Sequence, residues 1–118
     1  MIKAHKKLNA WNEAMNLVKL AYEITSQFPE AGKFGLVFQM RRSAVSVPSN
    51  IAEGSARAGN KEIVQFYIVA RASLSELDTQ AELSYMLKYI SESDKRLIDQ
   101  KIETVDSLLS GLIRYKRK

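Results

Sequence analysis

Apolar residues recur along this chain at spacings of three and four, the rhythm of helices with one buried face. From Leu8 to Phe28 two such stripes run side by side. One is Leu8, Trp11, Met15, Val18 and Tyr22; the other is Ala14, Leu17, Ala21, Ile24 and Phe28. Pro29 ends this first helix, and residues 30–33, with Gly32, read as a short loop. A second helix is expected over about 34–57, with Phe34, Val37, Phe38, Val45 and Ala52 on one face. Leu36, Met40, Val47, Ile51 and Gly54 lie on another. Pro48 removes a backbone donor and crowds the turn before it, so a kink is expected there. Ser46, Ser49 and Asn50 stand ready to satisfy the freed groups.

Ala58-Gly59-Asn60 reads as a turn whose Gly59 or Asn60 caps a long third helix, from Lys61 to about Ile90. Ser91-Glu92-Ser93-Asp94 has the form of a capping box and opens a fourth, in which Ile98, Ile102, Val105, Leu109 and Leu112 form the stripe. Short connections make sequential helices antiparallel, so the expected fold is all-α: an up-down antiparallel four-helix bundle, its second helix kinked at Pro48. The second helix and the start of the third are apolar on more than one face. One bundle cannot bury that surplus, which favours a homo-oligomer.

The length of 118 residues allows one domain, expected over 1–118 with short basic tails at 1–7 and 114–118. The absence of cysteine excludes a disulfide framework and thiolate metal sites; the single histidine, His5, excludes imidazole triads and di-iron Glu-x-x-His sites. No cofactor and no metal are therefore expected. No signal-like apolar run follows the start, and no stretch has the length of a membrane span, so a cytoplasmic protein with no membrane partner is expected.

Net charge is +5, unevenly spread. Residues 1–7 carry +3, residues 31–71 carry +4, residues 72–113 carry −4 and residues 114–118 carry +4. Terminal basic runs serve either as solubilising ends or as phosphate contacts. In the middle segment Arg41 and Arg42 point about 100° apart on a helix, and Arg57 and Lys61 continue the charge across the turn. Phosphate binding and salt bridges to the acidic 72–113 segment are equally physical uses for them. Glu53 and Arg57 have the i, i+4 spacing of a structural pair. The segment Gly54–Lys61 lacks the ending of a phosphate loop and follows a helix, so it is an interhelical turn. The aromatic residues fall mostly on helix stripes and are packing residues first.

The string FGLVFQMRRSAVSVPSNIAEGSAR at 34–57, with Leu8-Asn9-Ala10-Trp11 and the stretch Phe66 to Leu77, resembles a bacterial family of four-helix bundle proteins. Members are encoded within intervening sequences of large-subunit ribosomal RNA genes. The resemblance extends over nearly the whole chain and is also similar to the accessory protein of diversity-generating retroelements. It implies a homo-oligomer, a pentameric ring in relatives, with no established catalytic activity and with contacts to reverse transcriptase and nucleic acid. Its motif falls on Gln39, Arg41, Arg42, Ser46, Pro48, Ser49, Asn50, Glu53, Gly54 and Arg57, as binding or interface residues. The expected function is that of a non-enzymatic oligomer that binds structured RNA or RNA/DNA. Its candidate contacts are Arg41, Arg42, Arg57, Lys61, Arg114, Lys116, Arg117 and Lys118. The alternative is a protein-interaction scaffold that docks a partner enzyme without touching nucleic acid.

Overall fold

In a computed structural model, which describes residues 3–118 apart from the side chains at 33 and 34, four helices carry the fold. They are α1 (Asn9–Thr25), α2 (Phe38–Ser55), α3 (Asn60–Met86) and α4 (Glu92–Arg117). Helix α1 packs on α2 and α4, and α3 packs on the same two, so the order around the bundle is α1-α2-α3-α4. Contacts between sequential helices pair residues whose numbers run in opposite directions. Ser46 with Ser73 and Ser55 with Tyr67 do so for α2 and α3, and Glu82 with Lys95 does so for α3 and α4. The bundle is therefore up-down and antiparallel, 44 Å along its longest axis.

The core takes only one of the two stripes on α1. Ala10, Ala14, Leu17, Ala21 and Ile24 are buried, whereas Trp11 and Val18 are half-buried and Met15 and Tyr22 are exposed. Alanines let neighbouring backbones approach closely, so the smaller stripe faces inward. The helix ends at Thr25, short of Phe28. Thr25 donates its hydroxyl to the Ala21 carbonyl at 2.7 Å and Ser26 to Glu23 at 2.8 Å, while Pro29 biases Phe28 out of the helical region.

Residues 30–33 are not a loop. A helical turn, Glu30–Gly32, runs into a wide π turn, Lys33–Val37, and on into α2. Gly32 serves packing rather than chain reversal: a Cβ there would stand 2.9 Å from the Tyr89 ring and 3.1 Å from Phe28. The expected placement of Phe34 on the α2 face lies outside the described residues. Pro48 sits buried inside α2 without ending it. Around it Ser49 donates to the Val45 carbonyl at 2.8 Å and Asn50 to the Ser46 carbonyl at 2.8 Å.

Helix α3 stops four residues before the expected Ile90. Lys88 adopts φ 65°, and the Tyr89 and Lys88 amides donate to the Ser84 and Tyr85 carbonyls at 2.8 and 3.0 Å, a Schellman closure. Tyr89 then packs on Phe28 with ring centroids 5.6 Å apart. Ser91 caps α4 by accepting from the Asp94 amide at 3.1 Å. That helix continues through Arg117, so residues 114–117 are its last turn rather than a tail. Ile113, 1% exposed, anchors that turn, and cations suit the negative end of the helix dipole.

Lys95 is the only buried charged residue among the described residues. Its Nζ donates to Glu82 of α3 at 2.8 Å and to Asp99 of its own helix at 2.6 Å. Burial alone would lower its pKa, but the hydrogen bonds to Asp99 and Glu82 outweigh that and hold it above the usual lysine value. A raised folded-state pKa gives stability that is complete below the unfolded value, about pH 10.4, and fades as pH climbs through the folded one. Lys95→Met is expected to cost about 1–2 kcal/mol at neutral pH, since both carboxylates keep part of their hydration. The difference in melting temperature between wild type and variant should narrow as pH passes from 9 to 11.5; thermal melts across that range check it.

Candidate nucleic-acid interface

Antiparallel topology brings the start of α1, the α2–α3 turn and the end of α4 to one end of the bundle. The charge follows. Lys3, Lys6 and Lys7 lie in or beside the short 3-10 turn, Ala4–Lys7, that packs on α2 and sets His5 edge-on to Trp11 at 5.0 Å. Arg57 and Lys61 flank the α2–α3 turn, and Arg114, Lys116, Arg117 and Lys118 close α4.

The sharpest convergence is a groove of about 530 Å³ between the start of α3 and the end of α4. Lys61, Lys116, Arg117 and Lys118 line it together with Asn60, Gln65, Val64 and Ile68, and no carboxylate side chain lines it. Lys61, Arg117 and Lys118 are exposed and Lys116 is half-buried. Arg114 is exposed on the same last turn. The Gly59 cap offers no side chain to the first amides of α3, which adds the positive end of a 27-residue helix to the same region. The array presents positive charge with no acidic side chain beside it, and among the described residues no cluster is suited to hold a metal ion.

The remaining candidates stand differently. Arg57 is held by Glu53 at 3.3 Å and Glu62 at 3.5 Å, with its guanidinium 4.7 Å over the Phe66 ring. The i, i+4 pair with Glu53 is thus present and extended by Glu62. Arg41 donates its Nε to Thr25 Oγ1 at 2.9 Å and lies 4.4 Å over Tyr22, joining α2 to α1. Arg42 is exposed beside it. Both sit well up the bundle from the basic end, since α2 runs on for fourteen residues from Arg41 to Ser55, roughly 21 Å.

The rest of the motif string is mostly internal to the fold. Ser46 shares a 2.9 Å hydrogen bond with Ser73 of α3 and accepts from Asn50 at 3.0 Å. Gly54 lets α2 touch α3, because a Cβ would come 2.7 Å from Phe66 Cβ. Pro48 is buried; Gln39 is exposed. Neither the Lys95 bridge nor the Arg41–Thr25 bond is foreshadowed by the sequence reading, because both depend on which residues of distant helices share a level.

A model of the 23S rRNA-intervening sequence protein family matches residues 6–111. The chain belongs to that family. A solved structure from Bacteroides thetaiotaomicron, a protein of unknown function from the S23 ribosomal protein family, superposes with a TM-score of 0.80 at 19% identity. The superposition covers 88% of this chain and 97% of that one. At that identity the likeness speaks for the fold. No curated protein matches the chain. Family and structural neighbour point to no enzymatic family. Among the described residues no helix is long and apolar enough to cross a membrane.

Proposed function

We propose that this member of the intervening-sequence family is a non-enzymatic, oligomeric helical protein that binds nucleic acid, structured RNA or RNA/DNA, through its basic end. One observation carries the reading: Lys61, Lys116, Arg117 and Lys118 line a single groove with no acidic side chain among its lining residues. Lys3, Lys6 and Lys7 add to the same end. Phosphate contacts of this kind act through counterion release, so binding is weakly sequence-specific and strongly salt-dependent. Homo-oligomerisation, in the pentameric form the family resemblance implies, would set several such ends side by side. Its support is the exposed apolar surface on α1 and α2, where Phe38 is 62% exposed and Met15, Tyr22 and Val45 more than 40%.

Anisotropy titrations of a labelled RNA hairpin from 50 to 300 mM salt test the reading. Affinity should fall steeply and linearly on logarithmic axes; a flat response at micromolar protein would sink it. The scaffold alternative draws on the same apolar surface, and it predicts a partner enzyme that stays bound after nuclease treatment.

A further inference from the structure

We propose that copies of this chain join head to tail, the α1–α2 face of one seated on the α3–α4 groove of the next, with Arg42 opposite Asp78. The proposal rests on the assembly put forward above and assigns its two surfaces.

The first surface consists of two shallow grooves of about 450 and 340 Å³ that meet at Val45. Tyr22, Phe38 and Val45 give it an apolar character. Its ionisable lining groups are Tyr22, Arg41, Arg42 and His5, and no carboxylate lines it. Arg42 forms no ion pair with any described residue. Two such faces placed against one another would confront cation with cation, which disfavours a two-fold pairing of like with like.

The second surface is the groove of about 400 Å³ between α3 and α4. Asp78, Glu82, Asp99, Glu103 and Asp106 line it, above a floor of Leu74 and Ile102. Its one cation, Lys95, is already engaged by Glu82 and Asp99, which leaves Asp78, Glu103 and Asp106 without an ion pair among the described residues. The groove is therefore as rich in unspent negative charge as the α1–α2 face is in positive.

The heights of the two charges agree. The 2.9 Å bond between Ser46 and Ser73 sets those residues level. Helices α2 and α3 run in opposite directions, so one turn back to Arg42 and one turn forward to Leu77 move the same distance along the bundle, roughly 6 Å. Arg42 thus stands level with Leu77 and Asp78. An assembly whose symmetry axis runs along the bundles keeps every residue at its own height, and Arg42 of one copy then meets Asp78 of the next without sliding. Because the helices follow one another around the bundle, the α1–α2 and α3–α4 faces look in opposite directions. Each copy offers one of each, a heterologous pairing that closes into a ring when each copy is turned by a fixed angle from the last, with all basic ends on one side.

Charge reversal tests this through mass in solution, by light scattering at micromolar protein with circular dichroism to verify the fold. Arg42 and Asp78 are exposed, so Arg42→Glu and Asp78→Arg should each fold. Each alone should shift the wild-type mass, a multiple of 13.4 kDa, toward 13.4 kDa. Combining both changes in one chain should restore the larger species. If Asp78→Arg leaves the assembly intact, or the combination fails to restore it, the assigned surfaces are wrong while the oligomer stands. A wild-type mass of 13.4 kDa would instead overturn the oligomer itself.

Discussion

Gly54→Ala is expected to lower stability by about 2 kcal/mol and the melting temperature by roughly 8 °C, whereas Gly111→Ala should raise stability by about 0.5–1 kcal/mol. The two substitutions are chemically identical and both occur inside helices, so intrinsic propensity favours both equally. Surroundings decide the sign. At Gly54 the new methyl would meet Phe66 Cβ at 2.7 Å, the Ile63 carbonyl oxygen at 3.1 Å and Tyr67 Cε1 at 3.2 Å. A Cβ and a backbone oxygen are not the ends of mobile side chains, so the two helices must separate. Separation also loosens the 2.8 Å hydrogen bond between Ser55 and the buried Tyr67 hydroxyl. At Gly111 the nearest atom is the Arg114 guanidinium at 3.9 Å, a mobile group at ordinary contact distance. Denaturant melts of the two variants beside wild type check the contrast. Equal shifts of the same sign would show that α2 and α3 do not touch at Gly54.

The same contact explains how far the sequence could be read. The family-like string around Pro48 looks like a binding motif when written out, yet Gly54 is a packing contact, Ser46 bonds to Ser73, and Arg57 is held by two glutamates. Periodicity located four helices because each buries a stripe, and the Ser91 cap was legible because its chemistry lies within four residues. What depends on distant residues was not legible. Both stripes of α1 have the same rhythm, and only the approach of α2 and α4 selects the alanine-rich one. Gly32 signals a loop, yet it is tucked against Tyr89, 57 residues on. The end of α3 carries no glycine, since Lys88 takes the left-handed position itself. Residues 114–117 read as a tail because the run of bases hides the inward-facing Ile113 just before it. Charge behaved likewise: the +4 of residues 31–71 looks like one basic segment, but folding leaves Arg41 and Arg42 up the bundle and carries Lys61 to the C-terminal bases.

That regrouping makes the binding prediction residue-specific. A triple variant, Lys61→Gln with Lys116→Gln and Arg117→Gln, is expected to weaken binding to an RNA hairpin by roughly 10²-fold near 0.1 M salt and to reduce the logarithmic salt slope by about 2–3. The three side chains line one groove with no acidic side chain and form no ion pair among the described residues, so each can meet phosphate at no cost in broken ion pairs. Glutamine is shorter than lysine or arginine but stays polar and unbranched, so removal of the charge dominates the change. Arg57→Gln supplies the contrast. Its guanidinium is engaged by Glu53 and Glu62, so losing it frees two carboxylates and removes the stacking on Phe66. The expected effect there is a modest loss of stability and a change of slope below one. Equal weakening from Arg57 alone and from the triple variant would mean that the protein's overall charge, rather than this groove, draws the polyanion. Because Lys61 sits on the first turn of α3 and the other two on the last turn of α4, neither helix alone presents the array. The antiparallel pairing of α3 and α4 is what turns two separate runs of bases into one surface.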